Sequence, residues 1–411
     1  MTDLLDAMMH LGPRRQEMTN AEARNSGRRS VVLVGHEVRD HGGMDRAVTE
    51  LLIRAGGEID FHVLSVELAE SLRPLVRWHR LRVPRRPFPL LYVVFYILAG
   101  LRLRRLRIGL IHTLGAIVPN RVDVASVHAC HSGFVRATRR LAPSGAPLLR
   151  RMNTSVSRVL SLAAERWSYR PERARILAAV SAGIGKELNR DYPRARITLT
   201  PNGVDTERFR PNVDARVAVR SAHGVVEDER VALFVGGNWD HKGLSIAIAA
   251  IAEARAMDAS IDRLWVVGSG DFERFWQIAR ESAVDERVTF FGAREDVERL
   301  YQAADFFVLP SLYEAFSLVL LEAAASGLAI ITTPVNGTEE LNSVEQSLLI
   351  VDRTPTAFAR ALVRLCENDE LADEMRRAAR ESALRYTWER SVREVVRVYE
   401  ELAADPAVAG V

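Results

Sequence analysis

Short apolar runs recur along the chain, and between them lie longer segments whose apolar residues repeat at helical spacing. The first series is SVVLVG (30–35), IDFHVLSV (59–66), LRIGLIHTLG (106–115), DVASVHAC (123–130), ILAAVS (176–181) and ITLTPNGVD (197–205). After a polar stretch at 206–229 a second series follows: VALFVGG (231–237), LWVVGSG (264–270), VTFFGA (288–293), FFVLPS (306–311), LAIITTP (328–334) and SLLIV (347–351). Short, β-branched runs of this kind predict strands. They are apolar nearly throughout, which predicts strands covered on both faces, in parallel sheets. The segments 44–55, 133–170 (with a Pro/Gly interruption), 354–367 and 369–403 predict helices. Two such series predict an α/β chain of two doubly wound, Rossmann-like domains, at 29–205 and 206–386. A polar extension (1–28) and a short tail (404–411) flank them. Ligands of doubly wound sheets sit beyond the carboxyl ends of the strands, so the cleft between the two domains is the expected site.

Composition narrows the class only a little. The 411 residues are 48% hydrophobic and 27% charged, as in a soluble globular protein. Cys130 and Cys366 are too few and too far apart for a disulfide framework or a structural zinc site. Residues 1–28 lack an apolar core of the signal-peptide kind, and the longest apolar run, at 87–101, is short for a transmembrane helix. These features predict a cytoplasmic protein.

Charge says more. The net charge of +3 hides an uneven distribution: residues 71–110 carry ten arginines and no acid. Over 71–175 there are 21 arginines against Asp123, Glu165 and Glu172. Such a region expects an anionic partner. The chain has two lysines, Lys186 and Lys242, among 54 arginines.

The strongest chemical constellation is LPSLYEAFSLVLLEAAASGLAIITT (309–333). A strand ends, Glu314 follows in a loop, a helix begins near Ser317, and Glu322 lies one to two turns into it. The first amides of that helix, at Ser317, Leu318 and Val319, would meet a diphosphate. Glu314 would grip sugar hydroxyls, and Glu322 a ribose along the same face. This segment resembles the family-4 glycosyltransferases of the GT-B fold, whose E-x7-E motif matches Glu314 and Glu322. The resemblance covers most of 30–400. It implies that Glu314 contacts the donor sugar and Glu322 the ribose. Ser317 stands where the family usually has Gly.

A second constellation is FVGGNWDHKG (234–243). A Gly-containing turn after a strand lets backbone approach an anion, and Lys242 can then place its ammonium on a phosphate. The family often has an Arg where Gly237 stands here. In a variant of the motif a basic residue directly precedes the Lys, and His241 holds that position. By the same resemblance Gly268, Gly270 and Gly292 would let backbone approach the nucleotide, and Arg294 would lie near the base or ribose. Gly42 and Gly43 match the family's G-G-x-x-R loop, which ends at Arg46 and faces the donor diphosphate or the acceptor. A His in the loop after VASV sits near the transferred sugar, which selects His128 before His131. Two structural histidines are the alternative. The H-x-C-H spacing lacks a fourth ligand, so no metal is expected. The YTWE segment (386–389) resembles the family's crossing back to the first domain, so the helix 387–403 is expected to pack there.

The resemblance implies a nucleotide-sugar-dependent glycosyltransferase acting with retention on a hydroxyl acceptor, whether sugar, lipid-linked or small molecule, without metal or other cofactor. The first domain would take the acceptor and the second the donor. Lys242, Glu314 and His128 would be the catalytic group. In 71–110 the arginines interleave with Trp78, Phe88, Tyr92, Phe95 and Tyr96, which suits an interfacial element on anionic lipid at the inner face of the cytoplasmic membrane. No nucleic-acid motif accompanies them. A nucleotide-sugar epimerase or phosphorylase on the same fold, or a non-catalytic binding subunit, are the alternatives.

Overall fold

In the computed structural model, residues 28–404 are described except 40–42, 85, 107, 140, 142–147, 258–260 and 343–346. Residues 1–27 and 405–411, which hold nearly all of the expected extension and tail, and Gly42, lie outside the described residues.

Two parallel sheets organise the molecule. The first runs from β1 (Arg29–Val34) through β3 (Ile59–Ser65), β5 (Arg77–Arg80), β6 (Leu110–Leu114), β7 (Val122–Val127), β8 (Ala174–Ala179) and β9 (Ile197–Leu199). Its order is β5-β3-β1-β6-β7-β8-β9. Two-residue strands, β2 (Glu37–Val38) and β4 (Glu67–Leu68), pair beside it. The second holds β10 (Val231–Val235), β11 (Arg263–Val267), β12 (Val288–Gly292), β13 (Phe306–Leu309), β14 (Ala329–Thr332) and β15 (Leu349–Ile350), in the order β12-β11-β10-β13-β14-β15. Each sheet grows to one side and then reverses, so the switch points lie between β1 and β6 and between β10 and β13. Crevices form there at the carboxyl ends.

The strands are apolar because helices cover both faces. On the first sheet, Phe88–Leu106 and Leu148–Ser168 bury Tyr92, Phe95, Ala99 and Ala164 against Val32, Val34 and Ala125. On the other face, Gly43–Ala55 and Trp388–Ala404 pack over Val31, Leu33 and Val124. The second sheet is covered by Leu244–Ala256 and Pro355–Glu367 on one side. Leu318–Ala325 and Asp369–Ala383 cover the other.

The basic segment 71–110 is not one amphipathic element. It divides into a 3-10 turn (Glu70–Leu75), β5 and the helix Phe88–Leu106. That helix buries one face and leaves Leu90, Val93, Ile97 and Leu101 exposed on the opposite one.

The C-terminal helix reaches from the second sheet back to the first. Val204 N donates to Tyr386 O at 2.8 Å, and Val204 and Thr387 form an isolated parallel bridge. Further along, the Tyr399 hydroxyl lies 2.5 Å from His112 Nδ1 inside the first domain.

Candidate functional site

The crevice at the β10/β13 switch point is built by two loops. After β13 the chain passes Ser311, Tyr313 and Glu314 and then enters the helix Leu318–Ala325. After β10 it makes the short helix Trp239–Lys242. Gly243 ends that helix at φ +81°, where a Cβ would meet the Pro310 carbonyl oxygen at 2.2 Å. That close approach sets Lys242 beside the end of β13. Lys242 Nζ donates to Glu314 Oε1 at 2.6 Å, and Ser311 Oγ donates to the same oxygen at 2.6 Å. Both ion-pair partners are largely buried, with 16% and 13% of their side chains exposed.

Ser317 caps the helix start without a side-chain capping bond, and its buried Oγ has no partner. The first-turn amides around it are the unpaired donors of any helix start. One turn on, Glu322 accepts a hydrogen bond from the Tyr301 hydroxyl at 3.0 Å. Burial pushes the Glu322 carboxyl up to about 7, against the Tyr301 bond and the cations of Arg208, Arg46 and Lys242. Glu314, Lys242, Ser317 and Glu322 are therefore brought together, with Leu318 and Val319 in the same first turn. Arg46, in the first-domain helix that Gly43 starts, pairs with Glu50 at 2.7 Å, and its charge is felt at Glu322.

Other expected donor contacts are used differently. His241 Nε2 donates to the Tyr313 carbonyl at 2.6 Å, and its ring stacks on Phe134 of the first domain. Burial lowers its pKa, so it is neutral near pH 7 and supplies no second cation beside Lys242. Gly268 and Gly270, expected to let backbone approach the nucleotide, also let parts of the protein itself approach closely. A Cβ on Gly268 would meet Gly236 O at 2.2 Å, and one on Gly270 the Trp239 ring at 2.2 Å. At Gly292, by contrast, nothing lies within 4 Å of where a Cβ would be. Arg294 forms a two-point ion pair with Asp296, each contact 2.8 Å, on an exposed loop.

On the first-domain side, His128 and His131 follow β7 and line a cavity together with Glu165. Burial takes both imidazoles down to about 4, so both are neutral near pH 7. Glu165 accepts from the amides of His131 (2.8 Å) and Ser132 (3.3 Å). Burial pushes its carboxyl up to about 7. In the sequence Glu165 shows only as a lone acid inside an arginine-rich helix. Tyr313 and Glu187 were missed too. The Tyr313 hydroxyl donates to Glu187 Oε2 at 2.8 Å, and Asn336 Nδ2 to Glu187 Oε1 at 3.1 Å. With Ser181 Oγ to Ala315 O at 2.6 Å, these bonds tie the two domains together across the cleft. Lys186 joins them through Glu339 at 2.8 Å. Among the described residues no group of three or more His, Cys, Asp or Glu could hold a metal ion.

Comparison with known proteins agrees with this architecture. A model described as Glycosyltransferase Family 4 matches residues 41–208, and one described as Glycosyl transferases group 1 matches residues 229–368. A Corynebacterium urealyticum protein named D-inositol 3-phosphate glycosyltransferase is 33% identical over 228 residues, which are 53% of this chain and 54% of that protein. The chain thus spans about half the length of the curated relatives it matches. WaaG, a glycosyltransferase involved in lipopolysaccharide biosynthesis, is similar in structure with a TM-score of 0.76 at 19% identity, covering 91% of this chain and 100% of WaaG. Anabaena HepE, solved in complex with UDP and glucose, is similar with a TM-score of 0.67 at 16% identity, covering 91% of this chain and 100% of HepE. With both switch-point crevices, the E-x7-E pair and two family models that together run from residue 41 to residue 368, the chain belongs to the family-4 glycosyltransferases and has their GT-B fold.

Proposed function

We propose that the chain transfers a sugar from a nucleotide-diphosphate sugar to a hydroxyl acceptor, with retention of anomeric configuration, at a membrane surface. The observation that carries this reading is the Lys242–Glu314 ion pair beside an orphaned Ser317 hydroxyl at a helix start. Without ligand the two charges neutralise each other, so neither is buried alone. With donor bound, Lys242 and the first-turn amides take the diphosphate, where negative charge grows as the sugar leaves. Glu314 is then free to accept from the sugar hydroxyls, Glu322 from the ribose, and His128 holds the sugar from the first domain. No metal is given a part. Retention rests on the family resemblance alone.

HepE was solved with UDP and glucose, which makes UDP-glucose the first donor to try. A screen of UDP-, GDP-, ADP- and dTDP-sugars, read by nucleotide release and by NMR of the product, tests the reading. Transfer with inversion would overturn retention. Epimerised donor formed without acceptor would assign an epimerase, and no turnover with any donor would leave a binding subunit.

The membrane part rests on two neighbouring helices. Leu90, Val93, Ile97 and Leu101 on Phe88–Leu106 are exposed, as are Leu148, Leu149, Met152, Val156 and Val159 on Leu148–Ser168. Arginines flank both stripes, as interfacial binding to anionic lipid requires. No helix among the described residues is long and apolar enough to cross a membrane. Flotation with phosphatidylglycerol vesicles is expected to carry the protein, and phosphatidylcholine vesicles to carry much less. Equal flotation with both would overturn the electrostatic part, and none the whole attachment.

A further inference from the structure

A cavity of about 290 Å³ lies at the carboxyl ends of β6 and β7, beneath Phe88–Leu106 and Leu148–Ser168. We infer that it binds the acceptor as a hydroxyl carried on an apolar body, and that it rejects phosphorylated polyols. The word acceptor rests on the transferase reading above.

The lining mixes apolar and polar groups. Tyr92, Leu114 and Ile117 supply buried hydrocarbon, and Ser126, His128 and Glu165 supply polar atoms beside them. At ~30 Å³ for a water-sized group, the space holds roughly ten heavy atoms. His36 also lines it, packed 4.5 Å from Phe95 between ring centroids, and its buried Nε2 has no hydrogen-bond partner. An unpartnered buried nitrogen is costly, and a ligand hydroxyl supplies the missing bond.

Charge argues against a phosphate. Arg158 is the one arginine or lysine among the described residues that line the cavity. Its guanidinium is already committed: it lies 3.8 Å from the centroid of the Phe134 ring and donates to His131 Nδ1 at 3.2 Å. Burial keeps His36, His128 and His131 neutral near pH 7, and Glu165 adds negative charge as it ionises. A phosphate ester is ordinarily met by clustered, charge-assisted donors, and the described residues that line the cavity offer no such cluster.

The mouth points to the source. Met44, Phe88 and Ala129 line the cavity and are exposed. Phe88 is the first residue of the helix whose outer face carries Leu90, Val93, Ile97 and Leu101. An acceptor resting in a bilayer against that face would have its hydroxyl end at the mouth.

Citronellol is a suitable probe: an uncharged alcohol on a branched apolar chain, read by calorimetry. The wild-type protein is expected to bind it with a negative heat-capacity change. Ala129→Trp, at an exposed position, is expected to weaken binding at least about tenfold while leaving the melting temperature unchanged. Inositol 3-phosphate is expected not to displace it. Uptake only from phosphatidylglycerol vesicles would assign a bilayer-borne acceptor and uptake from buffer a free alcohol, and either supports the cavity assignment. Equal affinity in wild type and Ala129→Trp, or displacement by inositol 3-phosphate, overturns it. Citronellol binding without turnover of any nucleotide sugar would break the transferase reading and leave the cavity assignment standing. Turnover onto inositol 3-phosphate and not onto citronellol would do the reverse.

Discussion

The two sides of the cleft are made in different ways. The donor side is charged and local: Ser311, Glu314, Ser317 and Glu322 lie within one loop and one helix, and Lys242 joins them from a single other turn. The acceptor side is apolar and assembled from separate segments, with His36 after β1, Phe88 and Tyr92 on one helix, His128 after β7, and Arg158 and Glu165 on another. A diphosphate is much the same in every nucleotide sugar, so its cradle can be a fixed local motif. An acceptor varies, and its pocket is shaped by side chains that share no motif. Each prediction below would break or sharpen that contrast.

The largest effect belongs to the donor side. Lys242→Ala or Glu314→Ala is expected to lower turnover of the donor by about a hundredfold or more, the usual cost of removing a group aimed at developing charge. Citronellol binding should stay within about twofold, since neither residue lines the cavity. Measuring both in one preparation decides it. Full transfer by either variant would remove the proposed site, and loss of both activities together would show that the two sides are not separate.

The same contrast explains what could be read from the sequence. Every predicted strand run is present, because apolar runs in parallel sheets need no partner information to be seen. Lys242 and Glu314 each stand out because each lies in its own local motif. Their direct ion pair does not, since 72 residues separate them and Gly243 must pass within contact of Pro310 to bring them together. The protein contacts of His241, Gly268 and Gly270 were hidden for a related reason. The packing that uses them comes from Tyr313, Phe134, Gly236 and Trp239, which no local pattern announces. Glu165 was visible only as an oddity of charge.

Glu165 is the next test. Glu165→Ala leaves the His131 and Ser132 amides without their acceptor and opens a buried gap, so about 2 kcal/mol of stability should be lost. Glu165→Gln keeps an acceptor oxygen and should lose less. There is also a pH signature. With its carboxyl raised to about 7 from 4.5, the native state holds a proton that the unfolded chain releases. Stability therefore falls as pH rises from about 4.5 to about 7. Urea titrations across that window should show a shallower decline in Glu165→Gln. An unchanged slope would mean that the carboxyl titrates normally.

Glu322 sharpens the donor side by the same logic, with a smaller effect. Its carboxyl also titrates near 7. As it ionises it becomes a charge-assisted acceptor for a ribose hydroxyl, so UDP-glucose affinity is expected to rise about threefold between pH 6 and pH 8. Glu322→Gln should bind more weakly at pH 8 and show a flat profile. A wild-type profile that falls with pH would place the ribose elsewhere.

The smallest effect compares the chain's two lysines. Each donates to a glutamate, Lys242 to Glu314 at 2.6 Å and Lys186 to Glu339 at 2.8 Å. The chemistry is the same and the setting is not, because Lys186 and Glu339 keep 70% and 52% of their side chains exposed. Water and salt screen such a pair, and measured values for exposed pairs run to roughly 0–1 kcal/mol. Lys186→Ala should therefore change the unfolding midpoint little and donor turnover by less than about twofold, and the change should vanish in high salt. The pair does bridge the two domains, beside the bonds from Glu187 to Tyr313 and Asn336. If Lys186→Ala lowered turnover as far as Lys242→Ala, closure of the cleft would depend on this exposed contact, and the division between a charged donor side and the rest of the cleft would be wrong.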